Sequence, residues 1–531
     1  MGILNKIFSG GETQKLISEI EELIDHKKYD SAKEKVDTLL NKDDLNKKIN
    51  YYAGIIYYNL GEYTKSDDHF KFAEDEFPKS NFYLGVINSH KKDFKKSINY
   101  FEKYTNQNND VTALEYLASV YLKNRNFDKV LSVTEKLKSI RGDISSAYIL
   151  AAETYLYQEN PKKAVIEINK LLEFDHDNEI AHLLRGKAKT IVKEIDKAIL
   201  DLETCLKLNK DNVEANFYMG ICYSSKKDYE KALKYLDSAL ESEIYQPALE
   251  LRSELKLAQD DPDSALKDIE ALISNNPKST KFLLKSADLK LKLNDLDGAK
   301  NDLSKILVIE QDNVVALYKL SKLEFSKKNF KLVIKYLTRA IGVEPSADII
   351  LLRGRTFYHI KDFQSAIKDL SKVIDLNPEL YSAYFYRAKV KEELKDNYGA
   401  ITDYTKALND QKFTDAYYSR GKLRLALKEY NAAAKDFSKA INLKSNEAVY
   451  YYLRAQCYNF MEKPHEALED LDKAVQIKAN FVQAYLLRGM VGFSNRSFSK
   501  AKSDFEKVVE IDKRYELHVG TYLTKIKEKL S

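Results

Sequence analysis

The residues with chemistry to offer are few and scattered. The three cysteines, Cys205, Cys222 and Cys457, form no CxxC pair. Their odd number argues against a disulfide framework and against a thiolate zinc site, and points to a reducing, intracellular setting. Eight histidines are spread over 531 residues. Only Asp175-His176-Asp177 with His182 gathers metal-type ligands, and that stretch reads as a loop whose Asp and Asn cap the next helix, so no metal is expected. No phosphate-binding glycine loop, GxGxxG, GxSxG or HExxH occurs. The spacing puts no base beside a cysteine and implies no cofactor. The chain reads as a non-enzyme.

The composition says which elements must position whatever function remains. Lys plus Arg number 86 against 81 Asp plus Glu, a net charge of +5. That balance excludes a general polyanion binder, whose charge clusters in one sign. Apolar residues are 44 %, enough to build a core, while Gly (17) and Pro (8) are scarce, which argues for a mostly helical chain. No apolar run approaches the ~18 residues of a membrane span. In the N-terminal segment 1–12, Ile3, Leu4, Ile7 and Phe8 are too few for a signal-peptide core, and Lys6 stands where a myristoylation signal wants Ser or Thr. That segment reads as a short apolar piece ending in a Ser9-Gly10-Gly11 linker. It either packs on the body or anchors weakly to a membrane or partner.

A repeat runs nearly end to end. A small residue recurs from Ala32 through Ala164, Ala232, Ala299, Ala366 and Ala433 to Ala501, in steps of 31 to 34 residues. This gives fifteen units between residues 13 and 514. With that residue numbered position 20, position 8 is also small (Gly54, Gly85, Gly186, Gly220, Gly354, Gly421 and Gly489 among others), and position 24 is large (Phe70, Phe101, Leu202, Leu236, Tyr404, Phe437, Phe505). Positions 20, 24 and 27 share one face of a helix, and positions 4, 8 and 11 share one face of the helix before it. Small residues at 8 and 20 let two helices approach, and the residue at 24 fills the space beside them. Lys226-Lys227-Asp228 and Lys361-Asp362 read as turns within a pair. Pro277, Pro345 and Pro378 read as stops, and Pro161, Pro262 and Pro464 as helix starts.

This pattern resembles the tetratricopeptide repeat family, and VEANFYMGICYSSKKDYEKALKYLDSAL at 213–240 resembles it almost position by position. The resemblance implies an all-α, right-handed α-solenoid of about fifteen helix–turn–helix repeats over 13–514. Residues 515–531, with Leu517, Val519, Leu523 and Ile526, are expected to cap it as a final helix. The least regular repeats are the first (Ile20), the fourth (Val130, Thr134) and the tenth (Val333).

The repeats also align with one another, and that alignment exposes a pair. Arg185, Arg252, Arg353, Arg387, Arg420, Arg454 and Arg488 occupy position 7, and each of those repeats has Asp at position 23. In an antiparallel pair these positions face each other, so an Arg–Asp bridge is expected between the two helices or to the adjacent repeat.

In the family it resembles, positions 2, 5, 6, 9, 12 and 13 of the first helix line a concave binding groove. Position 5 is often aromatic here, as at Tyr318, Phe385, Tyr418 and Tyr452. Position 9 is acidic at Glu21, Glu153, Glu254 and Asp288, then basic in four successive repeats at Lys322, Arg355, Lys389 and Lys422. These eight aromatic and basic residues of repeats ten to fourteen are the expected peptide-binding site. Asp348, Glu392, Glu393 and Asp415 are candidates to neutralise it. No repeat has Lys at 5 or Asn at 9, so the carboxylate clamp of chaperone co-factors is absent. The expectation is a cytoplasmic protein–protein interaction scaffold that holds extended segments of one or more partners, acidic ones included, with self-association as a further possibility. The alternative is a helical-repeat RNA binder. It would need a basic groove with recurring base-reading residues, whereas the groove charge here changes sign.

Overall fold

The computed structural model describes residues 2–241 and 244–530. Among these are 31 α-helices, one short 3-10 turn and no strand. The first thirty helices form fifteen successive pairs. Repeats ten to fifteen comprise Val314–Ser326 with Phe330–Val343, Ala347–His359 with Phe363–Leu376, and Tyr381–Glu393 with Asn397–Ala407. They continue with Thr414–Ala426 and Tyr430–Leu443, Ala448–Phe460 and Pro464–Ile477, then Val482–Ser494 and Phe498–Ile511.

Each pair is punctuated the same way. The first helix ends in a left-handed residue at position 15, which is Gly61 (φ 77°) in one repeat and a non-glycine residue with φ of 55–65° in fourteen. At Lys227 the motif is complete: Asp228 N–H donates to the Tyr223 carbonyl at 3.0 Å and Lys227 N–H to that of Ser224 at 2.9 Å. This double closure satisfies carbonyls a helix end would leave bare. The next residue then caps the second helix, as Asp228, Asp295, Asp362 and Asp396 accept from backbone N–H groups three residues on at 2.9–3.2 Å. Pro161, Pro262 and Pro464 are the first residues of their helices. Pro277, Pro345 and Pro378 lie just past helices ending at Asn275, Val343 and Leu376.

Within a pair, positions 8 and 24 interlock. A methyl group on Gly54 would lie 2.6 Å from the Phe70 ring, one on Gly186 would lie 2.7 Å from Leu202, and one on Gly421 would lie 2.9 Å from Phe437. Among the largest fully buried side chains are five from position 24: Phe70, Phe101, Tyr404, Phe437 and Phe505. The irregular Ile20, Val130, Thr134 and Val333 are buried like their counterparts.

All seven Arg–Asp pairs form, at 2.6–2.8 Å. Position 11 reaches the aspartate at position 23 wherever it is basic, with or without the arginine. Lys189, Lys256, Lys290, Lys391 and Arg424 reach the aspartates at position 23 of their own repeats at 2.7–2.9 Å. The third arm of each arginine crosses to position 25 of the preceding repeat, for example Arg387 to Ser371 at 3.0 Å and Arg454 to Ser438 at 2.9 Å. One residue therefore ties the two helices of its own repeat and also the repeat before. Burial raises the Asp201 carboxyl, but hydrogen bonds from Arg185 and Lys189 outweigh it and hold the group below its ordinary value. At Asp504 burial prevails over Arg488, and the group is pushed up.

The chain divides into two compact units, Met1–Leu272 and Ile273–Ser531. In the second unit, first helices of neighbouring repeats touch: Ala347–His359 meets Tyr381–Glu393, and Ala448–Phe460 meets both Thr414–Ala426 and Val482–Ser494. No two second helices of that unit make comparable contacts with each other among the described residues, which puts the first helices on the inner side of that unit. One expectation needs correcting. The helix Gly2–Asp25 runs through Ser9-Gly10-Gly11 where a linker was expected, because backbone hydrogen bonding on either side carries it across the weak helix formers. The last helix, Glu516–Leu530, buries Val519 and Ile526 against Phe505 and Val508, but Leu517 is 91 % exposed because it falls off that face.

Candidate functional site

The expected site lies wholly within the second unit, on the first helices of repeats ten to fourteen. Position 9 falls one turn after position 5, so a cation at 9 can reach back over a ring at 5, as it does in three of the four repeats. Lys322 Nζ sits 4.5 Å from the Tyr318 ring centroid, Lys389 Nζ 5.4 Å from that of Phe385, and Lys422 Nζ 5.6 Å from that of Tyr418. Position 5 of repeat eleven is Leu351, and Arg355 finds rings from its neighbours instead. Its guanidinium carbon is 5.3 Å from Phe325 of repeat ten and 4.7 Å from Tyr386 of repeat twelve. Lys389 also approaches Tyr358 of repeat eleven at 5.7 Å. Such cation–ring contacts add about 0.5–1 kcal/mol each at exposed sites. They also hold long, flexible side chains in place.

The electrostatics are asymmetric. Two acidic members of position 9 are paired: Glu21 is 3.1 Å from Lys48, and Asp288 is 2.5 Å from Lys319. None of Lys322, Arg355, Lys389 and Lys422 has a carboxylate within 4.0 Å among the described residues. Arg355 Nε is buried and makes no hydrogen bond. The expected neutralisers do not reach the four cations, and Glu392 instead accepts from the Tyr404 hydroxyl at 2.8 Å. His359 stacks on Phe330. Burial, with the charges of Arg355, Lys389 and Lys328, pushes its imidazole below its ordinary value.

The aromatic members separate. Tyr318, Tyr418 and Tyr452 are half-buried and keep surface on this face. Gln456 donates to the Tyr452 hydroxyl at 2.8 Å. Phe385 is 6 % exposed and packs against Tyr404 and Phe413, so it belongs to the core and supports Lys389 from beneath. Sequence reading missed Phe325, Tyr358 and Tyr386. They stand at positions 12 and 6 of the same face, and the signal was an aromatic one repeat away from Arg355 or Lys389. The histidine cluster is committed elsewhere: His182 Nε2 contacts the His176 carbonyl at 2.9 Å, and His176 Nδ1 contacts that of Leu172. No group of three metal-type ligands occurs among the described residues, and no helix there is long and apolar enough to cross a membrane.

Fifteen successive helix pairs with one shared internal packing scheme define a helical-repeat protein. Tetratricopeptide repeat patterns match residues 347–380, 414–447, 448–481 and 482–515, and a second pattern of that name matches 214–242. The chain is a member of the tetratricopeptide repeat family. No curated protein matches it significantly. Among solved structures it is similar to MamA, at 25 % identity over 30 % of this chain and 95 % of that one, with a TM-score of 0.29. A tetratricopeptide repeat protein from Parabacteroides merdae is 21 % identical over 47 % of this chain and 98 % of that one, with a TM-score of 0.34. The APC/C hetero-tetramer Cut9-Hcn1 gives 15 % identity over 89 % of this chain and 95 % of that chain, with a TM-score of 0.37.

Proposed function

We propose that the chain is a non-catalytic scaffold that holds an extended segment of a partner protein along the first-helix face of repeats ten to fourteen. Proteins of this repeat family are typically protein–protein interaction scaffolds. The observation that carries the reading is the run of four cations on consecutive repeats, each set against an aromatic ring and none paired with a carboxylate. Arg355, half-buried between two rings with its Nε unpartnered, gains from a partner that meets its charge. Tyr318, Tyr418 and Tyr452 add flat faces with polar tips, a combination common at recognition surfaces. A cytoplasmic setting, with no nucleic acid and no cofactor, belongs to the same reading.

The test is capture from source lysate on two baits, the wild type and a form with K322E, R355E, K389E and K422E, both shown to be folded by circular dichroism. A partner retained by the first and lost from the second, then cross-linked to the Ala347–His359 and Tyr381–Glu393 helices, supports the reading. Identical capture by both baits overturns it.

A further inference from the structure

The four unpaired cations have a spacing, and the spacing selects a ligand. They occupy the same position of four consecutive repeats, and neighbouring helices pack about 10 Å apart. An extended left-handed polyproline-type chain has three residues per turn and rises ~3.1 Å per residue, so every third side chain points the same way about 9 Å apart. The two periods nearly coincide.

From this match, and resting on the scaffold reading above, we infer that the face of repeats ten to thirteen recognises an extended acidic peptide with carboxylates at every third residue, one for each of Lys322, Arg355, Lys389 and Lys422. Carboxylates suit the arrangement better than phosphates. The cations are dealt one to a repeat, each against an aromatic ring, whereas a dianion calls for several donors converging on one point. Arg355 is the anchor. Phe325 and Tyr386 hold its guanidinium and its Nε is buried, which leaves the two Nη groups as the edge of a planar fork that fits a carboxylate by two parallel hydrogen bonds. Tyr358, on the repeat of Arg355 and 5.7 Å from Lys389, lies between those two cations, and Tyr318 and Tyr418 stand beside Lys322 and Lys422; these rings offer flat surface to the intervening residues, for which proline is well suited. The remaining acidic groups of the face, Asp348, Glu392, Glu393 and Asp415, make no ion pair with the four cations. They would disfavour acidic residues placed out of step.

The experiment is fluorescence anisotropy with the full chain and labelled peptides: four units of Glu-Pro-Ala, the same composition with all glutamates adjacent, and four units of Lys-Pro-Ala. Oligouridylate is the fourth probe. The periodic acidic peptide is expected to bind at least tenfold more tightly than its clustered isomer, and the lysine peptide is expected not to bind. Lys322→Gln, Lys389→Gln and Lys422→Gln should each weaken the periodic peptide about 3- to 5-fold, the worth of an exposed ion pair, and Arg355→Gln should weaken it more. Lys335→Gln, on an exposed second-helix position, should change nothing. Equal affinity for the clustered isomer overturns the every-third-residue register and leaves the scaffold reading intact. Tighter binding of oligouridylate, or no binding of the periodic peptide, overturns the acidic-peptide assignment. The paired-bait capture above then decides the scaffold reading separately.

Discussion

Arg454 and Arg387 make a matched pair that tests how the repeats are held together. Each arginine donates from Nε and Nη2 to a buried aspartate, Arg454 to Asp470 at 2.8 and 2.6 Å and Arg387 to Asp403 at 2.8 and 2.8 Å. Each places its third arm on a serine of the preceding repeat. The aspartate side chains are 6 % and 3 % exposed. The difference is at position 11, where Lys391 lies 2.8 Å from Asp403 while the same position in repeat fourteen is Tyr458. Methionine keeps the packing of the stem and removes the charge. Removing one partner of a buried pair costs about 3–5 kcal/mol, because the other is left uncompensated. A remaining charge-assisted hydrogen bond is worth about 1.5–3 kcal/mol. R454M should therefore cost roughly 3–4 kcal/mol locally, and R387M about 1–2 kcal/mol. Unfolding of a long repeat array is not all-or-none, so the assay is local: hydrogen exchange by mass spectrometry over Pro464–Ile477 and Asn397–Ala407. Exchange should accelerate ~100-fold or more in the first case and ~10-fold in the second, at ~1.4 kcal/mol per decade. Adding Y458K to R454M should recover part of the loss, and adding K391M to R387M should bring repeat twelve to the level of R454M. Equal acceleration in the two single variants, with no recovery by Y458K, would refute the view that position 11 shares the load.

Lys227→Gly and Lys361→Gly should each stabilise their repeats by about 0.5–1 kcal/mol, because the relief of a left-handed non-glycine residue exceeds the entropy glycine adds to the unfolded chain; local exchange at the flanking helices reads this, and a loss of protection counts against it. Burial pushes the Cys205 and Cys457 thiols up to about 12, so both should resist alkylation at pH 8 in the folded chain and react within minutes in denaturant. Protonation should act oppositely at the two ends of the arginine series. The depressed Asp201 adds stability above the ordinary carboxylate value, which is lost as pH falls through its folded value. The raised Asp504 adds stability below that value, which is lost as pH rises through its folded value. On acidification from pH 5, exchange should therefore rise in Ile195–Leu208 relative to Phe498–Ile511, and parallel behaviour of the two helices would count against the assignment.

What could be read from the sequence was whatever repeats. Positions 8, 20 and 24 recur because two helices can approach only if their sizes fit, so fifteen copies display one packing rule fifteen times. The Arg–Asp pair was legible for the same reason, since position 7 and position 23 change together. Position 11 escaped notice because it varies among Lys, Arg, Tyr, Phe, Leu, Asn, Glu and Gly, and the acceptor on the preceding repeat escaped because Ser, Thr, Asn and Asp all serve at position 25. The left-handed residue at position 15 was hidden by its chemistry: lysine predominates there, and only Gly61 carries the usual signature of that conformation. Phe385 shows the limit of reading the site by position. It shares position 5 with Tyr318 and Tyr418, yet Tyr404 and Phe413 close over it. Burial at one position varies from repeat to repeat with the neighbours, and those neighbours come from other repeats.

The arginine ties and the basic face belong to one design. Position 7 points toward the second helix and position 9 points away from it, so one first helix carries a structural cation and, two residues on, an unpaired one. From repeat eleven to repeat fifteen every repeat has the arginine, and each reaches the repeat before it: Arg353 to Thr338 at 3.1 Å, Arg387 to Ser371 at 3.0 Å, Arg420 to Thr405 at 2.9 Å, Arg454 to Ser438 at 2.9 Å and Arg488 to Asp472 at 2.7 Å. The steps from repeat ten to repeat thirteen, which carry the four cations, are therefore all fixed by such ties. A fixed step is what a ladder of evenly spaced carboxylates requires, since a face that need not adjust loses less on binding. If the ties set the spacing, Arg387→Met combined with Arg420→Met should weaken the periodic acidic peptide about tenfold. The same pair of changes should leave the weaker clustered isomer, which needs charge but no register, within about twofold. An equal loss for both peptides would mean that the arginines act only through overall stability, and no loss for either would mean that the ring contacts alone hold the cations in step.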